Sequence, residues 1–239
     1  MIAKPAVLAP SQVEIADFVA GASEARGLAV IIDVFRAFSV AAYAFAAGAT
    51  RVFPVAAVET ARALKAADPH ALLIGERHAR ALPGFDCGNS PAQLLELDLK
   101  GRTLIHTTHA GTQGLTHAHR ADEVITGALV NAAAIVRYIQ ARQPSHVTLV
   151  RMGHEARERC EEDDLCAEIL RQRLLGQTPA VDTVRERLRT AAGAAKFFDP
   201  ACHWAPERDF ELCTAVDVFD FVLRLEPDPR GAALASIPA

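Results

Sequence analysis

Asp33 and Arg36, three residues apart, follow the apolar run LAVII and open the Ala-rich stretch AFSVAAYAFAA. A carboxylate and a guanidinium released where a buried strand turns into a helix suit a divalent cation and the oxygens of a phosphate, respectively. The arrangement recurs along the chain: Glu76 and Arg77 follow ALLIG, Thr107, Thr108 and His109 follow TLIH, and Arg151 and His154 lie at the end of HVTLV. Strand ends of a parallel sheet share an edge, so groups far apart in sequence are expected to meet there. The segment HARALPGFDCGNSP (78–91) adds Asp86, Asn89 and Ser90 downstream of the third apolar run.

Asp33, Glu76 and Asp86 offer hard oxygen donors of the kind Mg2+ prefers. The turn TTHAGT joins a strand to a helix. Its hydroxyls (Thr107, Thr108, Thr112) and the backbone N–H groups around Gly111 are suited to an anion such as phosphate, with Arg36 as bidentate partner. Arg77, Asn89 and Ser90 are expected around the same phosphate. Each group also has a purely structural use: Asp33 and the hydroxyl turn can cap helices, while Glu76 and Asp86 can pair with arginines. The acidic run 161–164 complements a helix dipole. One helical face can turn inward, carrying Asp164 or Asp163, and we assign Asp164 to the metal group. Among the crowded histidines, His117 and His119 do not share a helical face, so an alternative transition-metal site would use His106 and His109. Cys87 has no identifiable base beside it.

The elements that must position these groups alternate. Strands are expected at 28–32, 51–55, 71–75, 103–107, 123–126 and 146–152, and helices at 37–47, 58–67, 111–119, 132–141 and 161–175, with Asn131 as an N-cap. This is an α/β fold, a three-layer α/β/α arrangement around a mostly parallel sheet, read as a single domain over 1–239 with a possible smaller C-terminal subdomain from about residue 176. Residues 78–91 are expected to be a loop, 181–196 helical, 211–225 a closing strand, and the Pro-bearing tail from 226 extended or mobile.

Of the 239 residues, 51% are hydrophobic and 23% charged, and the formal charge is -4. No polybasic footprint favours nucleic acid or an anionic membrane. Pro5, Pro10 and interspersed acids break the N-terminal stretch where a signal peptide needs an apolar core, and no segment reaches the roughly 18 apolar residues of a membrane helix. Five cysteines without a C-x-x-C spacing fit reduced thiols and a cytoplasmic location.

The motifs VIIDVFRA (30–37), IGER (74–77), GFDCGNSP (84–91), TT-x-x-GT (107–112), ITGALVNA (125–132) and EDDLCA (162–167) resemble, in order, those of the 2-phosphosulfolactate phosphatase family, Mg2+-dependent enzymes of coenzyme M biosynthesis. A weaker likeness lies in DFELCTAVDVFDFV. The resemblance implies a Mg2+-dependent phosphatase acting on a small anionic phosphorylated substrate, in a homo-oligomer such as a dimer. It makes Asp33, Glu76 and Asp86 metal-holding positions, and Arg36 and Asn89 substrate-facing ones. Asp33 could act through water or attack directly. Three turns depart from the family pattern, at Phe38, at His109-Ala110 and at Arg151-Met152. Besides the transition-metal hydrolase, an anion-binding or assembly protein without turnover is the alternative that these changes leave open.

Overall fold

The computed structural model describes residues 7–239; the first six residues of the N-terminal stretch read above for a leader lie outside the described residues. The first half of the chain forms β1 (Val13–Asp17), α1 (Phe18–Glu24), β2 (Leu28–Ile32), α2 (Ala37–Ala46), β3 (Arg51–Pro54), α3 (Val58–Ala67), β4 (Leu72–Arg77), β5 (Arg80–Ala81) and α4 (Pro91–Leu94). There follow β6 (Thr103–Thr107), α5 (Gly111–His117), β7 (Glu123–Gly127), α6 (Ala132–Arg142), β8 (Val147–Arg151) and α7 (Glu161–Leu174). The C-terminal part holds α8 (Val184–Arg189), α9 (Ala195–Phe198), α10 (Glu207–Cys213), β9 (Phe221–Asp228) and β10 (Gly231–Pro238). No helix among the described residues is long and apolar enough to cross a membrane.

The strands form one ten-stranded sheet in the order β1-β8-β2-β7-β9-β10-β3-β6-β4-β5. β1, β8, β2 and β7 are parallel to one another, and so are β3, β6 and β4. The β9–β10 hairpin separates these blocks and joins each by an antiparallel contact, Ile125 opposite Arg224 and Leu234 opposite Val52. Antiparallel junctions at β7–β9, β9–β10 and β10–β3 leave the two parallel blocks running in opposite senses. The shared edge expected from the sequence therefore exists only within each block.

The blocks are brought together by the helices packed between them. Every residue of β2 is buried, as its unbroken apolar run requires. Ala29 and Ile31 join one cluster with α2, with Leu115 of α5, and with Val52, Leu72, Ile74 and Leu104 of the other block. Val30 and Ile32 face the opposite way, towards Ile135 and Ile139 of α6 and Leu170 of α7. Phe53, Leu73 and Ile105 pack outward with Ala61 of α3. Residues 37–44 of α2 are all buried because the helix is enclosed by both blocks, which is why it shows no polar face. At Gly75 the backbone takes φ +146°, and a Cβ there would fall 2.0 Å from the carbonyl oxygen of Thr107. Only glycine lets β4 run so close to β6 just before it delivers Glu76.

The C-terminal third departs most from expectation. The stretch read as a closing strand at 211–225 is divided between α10 and β9, and the tail forms β10, with Ala233, Leu234 and Ala235 buried in mid-sheet. Pro229-Arg230 is the two-residue connection between paired Asp228 and Gly231, so a proline read as a tail signal marks a hairpin turn. The helix expected over 181–196 breaks at Ala191, which is extended (ψ 143°), into α8, a 3-10 turn and α9. The segment 78–91 contains β5, paired with β4. Asn131 precedes α6 without capping it: its Nδ2 donates to the Phe221 carbonyl, and Asp217 instead accepts from Ala133 N at 2.7 Å. Val184, Leu188, Phe197, Phe210 and Val222 lie in the same hydrophobic cluster as Val30.

Candidate active site

A cavity of about 480 Å3 opens where β2, β4, the turn before α5, the segment after β8 and the α7 and α9 regions meet. Asp33 and Glu76, from opposite blocks of the sheet, both line it. They are held by one turn. Gly111 N donates to Asp33 Oδ2 at 2.9 Å and His109 N donates to Glu76 Oε1 at 2.8 Å. The remaining oxygens accept from Ala37 N (3.1 Å) and Ala79 N (2.8 Å), respectively. Each carboxylate oxygen thus retains a second lone pair. Burial, opposed by the N–H of Ala37 and reinforced by the Glu76 charge, raises the Asp33 carboxyl to about 6.

Most donors of the turn expected to cradle phosphate are already engaged. Thr108 N donates to Thr112 Oγ1 and Thr112 N returns a bond to Thr108 Oγ1, while His109 and Gly111 serve the two carboxylates. Thr107 Oγ1 accepts from Arg77 Nη2, whose guanidinium also holds the carbonyls of Glu76 and Ala56. Arg77, Thr107, Thr108, Gly111 and Thr112 therefore build the turn and offer no free anion cradle. Ser90 caps α4 and donates to Asp209.

Arg36 lines the cavity but is committed to a buried ion pair. Its Nη1 donates to Asp209 Oδ2 and to the Trp204 carbonyl, both at 2.7 Å, and its Nη2 to the Ala79 carbonyl at 3.2 Å. Asn89 is a wall residue whose Oδ1 is paired with His106 Nε2 at 3.1 Å. His106 is buried, and loss of solvent lowers its pKa to about 3. The His106–His109 transition-metal pairing is not formed: one ring serves Asn89 and the other faces the cavity.

Two acids expected at the metal lie elsewhere. Asp86 accepts from Leu73 N at 2.8 Å and sits 3.6 Å from Lys65, along the edge of β4 away from β6. Asp164 is bound by Arg159 and Arg151. The α7 acids that line the cavity are Glu161, Glu162 and Asp163, and the last two are buried there. Asp163 accepts from Val34 N and Gly153 N, both at 2.8 Å, and tethers the β2 exit to the segment after β8. Burial, then the nearby Asp33 and Glu162 charges, push its carboxyl well above the usual range. Glu162 is 4% exposed, and its Oε2 has no partner among the described residues. A Cβ on Gly193 would sit 2.9 Å from both of its oxygens, so glycine makes room for this carboxylate.

Lys196 of α9 was not anticipated. It lines the cavity, makes no ion pair among the described residues, and lies 5.1 Å from the centre of the Phe197 ring. Burial and the Arg36 charge lower its pKa. A single lysine in the apolar stretch TAAGAAKFF was the available signal. Asp209 had only the weak DFELC likeness to mark it. Seven carboxylates line the cavity (Asp33, Glu76, Glu155, Glu158, Glu161, Glu162, Asp163), against Arg36, Arg159 and Lys196. Arg36 and Arg159 are both paired with acids, so Lys196 is the uncommitted cation of the wall among the described residues.

A family model described as 2-phosphosulpholactate phosphatase matches residues 15–228. The chain is 29% identical over 226 residues to a probable 2-phosphosulfolactate phosphatase of Clostridium perfringens (strain 13 / Type A), covering 88% of this chain and 91% of that protein. It is 32% identical over 205 residues to one of Thermotoga petrophila, covering 81% and 87%, and 38% identical over 166 residues to one of Synechococcus sp. (strain CC9605), covering 69% and 68%. All three relatives carry the same name, and the family match runs from β1 to the end of β9. The chain belongs to the 2-phosphosulfolactate phosphatase family.

Proposed function

We propose that the protein is a phosphatase that hydrolyses a small anionic phosphomonoester, 2-phosphosulfolactate being the substrate in its relatives' names, with a divalent cation, Mg2+, held at Asp33 and Glu76. The observation that carries the reading is the excess of carboxylates over free cations in the cavity wall. A phosphomonoester dianion cannot enter such a site favourably unless a cation accompanies it. The donor set fits Mg2+: two buried carboxylates from separate strands keep free lone pairs, and Mg2+ is ordinarily bound by one or two carboxylates with water and phosphate oxygens completing its shell. When bound, it supplies charge neutralisation at the phosphoryl oxygens.

The chain's own groups then have distinct tasks. Lys196 holds the second anionic group of the substrate, and Asn89, its carbonyl fixed by His106, turns its amide to a substrate oxygen. The backbone N–H groups of Ala37, Gly111, Ala79 and His109 keep Asp33 and Glu76 fixed throughout, so little reorganisation accompanies the reaction. Water attacks phosphorus, the ester P–O bond breaks, and the alcohol leaves with a proton.

Phosphate release from 2-phosphosulfolactate and from a generic monoester, with Mg2+, with EDTA and with Asp33→Asn, tests the proposal. Release that needs Mg2+ and is lost in the variant is expected; release that survives both EDTA and the substitution overturns it.

A further inference from the structure

A second cluster of donors stands at the mouth of the cavity. Two tight reversals meet there from the two blocks of the sheet. One joins β4 to β5 through His78 and Ala79, and the other lies within the His154–Glu158 bridge, through Glu155 and Ala156. All four tip residues are non-glycine and left-handed, with φ between +50° and +63°. Such positions persist where the surroundings over-determine them, and they gather at functional sites.

The tips touch. His78 Nδ1 lies 2.7 Å from Glu155 Oε1, and His109 Nδ1 lies 3.8 Å from the same oxygen. The imidazoles of His78 and His109 are 4.6 Å apart between centres. One donor atom from each of the three side chains falls within 4.8 Å of the others. Donors about 2 Å from a tetrahedral ion are a little over 3 Å apart, so side-chain rotations that release the 3.3 Å bond from His78 N to His109 Nδ1 close the set. Glu76 holds the frame behind it by accepting the N–H groups of Ala79 and His109.

From this geometry we propose that His78, His109 and Glu155 form a binding site for a divalent transition ion of the Zn2+ or Co2+ class, separate from the Asp33 and Glu76 carboxylates. Two imidazoles and one carboxylate are a borderline donor set that selects such ions over Mg2+. Three protein ligands leave a coordination position open, as in zinc sites that bind water or an anion. His109 and Glu155 line the cavity, so an ion they hold stands at its wall. An ion there would present a Lewis acid to an anionic group entering the cavity.

The site is tested on the purified full chain, stripped of metal, by calorimetric titration with Zn2+ and by the visible absorption of added Co2+, both in excess Mg2+. One equivalent is expected to bind, with a tetrahedral Co2+ spectrum. His78→Ala with Glu155→Gln should weaken it by more than the ~10–100-fold that loss of an outer-shell partner costs a metal site. Asp33→Asn should leave it intact, and circular dichroism checks that each variant is folded. Zn2+ affinity unchanged in the folded double variant, absence of binding to the parent protein, or loss of binding in Asp33→Asn alone would each overturn the proposal. None of these readouts depends on phosphatase turnover or on Mg2+ at Asp33.

Discussion

Removing the Asp209 carboxylate would expose how the wall of the cavity is anchored. Asp209 is fully buried and Arg36 is 2% exposed, with their nearest atoms 2.7 Å apart. The second Asp209 oxygen accepts from Ser90 Oγ at 2.8 Å and from Ala92 N at 2.9 Å. Asp209→Asn leaves a guanidinium buried beside a neutral amide whose single oxygen can serve either Arg36 or the Ser90 and Ala92 donors, so one side of the network faces an NH2 group instead of an acceptor. Breaking one side of a buried pair costs about 3–5 kcal/mol, a large part of a domain's usual total of about 5–15 kcal/mol. Urea unfolding, read as a shift in midpoint at constant slope, measures it. The double variant Arg36→Met with Asp209→Leu removes both charges and should lose less than the sum of the single losses, because neither ion is then stranded. A cost below about 1 kcal/mol for Asp209→Asn, the value of an exposed pair, or strict additivity in the cycle, would refute the reasoning.

Three further outcomes are expected. A carboxyl raised from 3.8 to about 6 binds its proton more tightly in the folded state, so stability from Asp33 is present at low pH and lost as pH climbs through that interval, by at most about 3 kcal/mol. Metal-free wild type should therefore lose ground to Asp33→Asn between those pH values in denaturation curves; the opposite slope would contradict the burial argument. Lys196→Met should raise KM for a substrate with two anionic groups by about tenfold or more while changing kcat less, since about 1.4 kcal/mol of binding is a tenfold effect; steady-state kinetics decides, and an unaltered KM removes Lys196 from substrate binding. Gly75→Ala should yield little folded protein, measured as soluble yield and circular dichroism, because its Cβ would meet the Thr107 carbonyl oxygen at 2.0 Å.

The core strands were legible because most are short apolar runs closed by a polar or charged residue, and a run as short and β-branched as LAVII favours a strand buried on both faces. The opposed sense of the two blocks was not, because it is set by a hairpin whose proline turn reads equally well as the start of a tail. The meeting of Asp33 and Glu76 was anticipated on a premise that holds only within one block; the enclosed α2 and α5 supply the actual cause. For Asp86 and Asp164 the residue type was informative and the direction of the side chain was not: a one-residue step along α7 exchanges Asp163 in the cavity for Asp164 among arginines. Similarly, a hydroxyl-rich turn has the same composition whether its donors face a ligand or its own neighbours.

The placement of the β9–β10 hairpin has a consequence for biosynthesis. It follows every other strand in the chain yet occupies the middle of the sheet. While a ribosome is still making it, β7 and β3 each present an unpaired border, the kind of surface that recruits strands from neighbouring nascent chains. Joining the two halves is thus the closing act of assembly, and substitutions that slow the turn at Pro229-Arg230 should lower soluble yield in the cell before they alter the finished molecule.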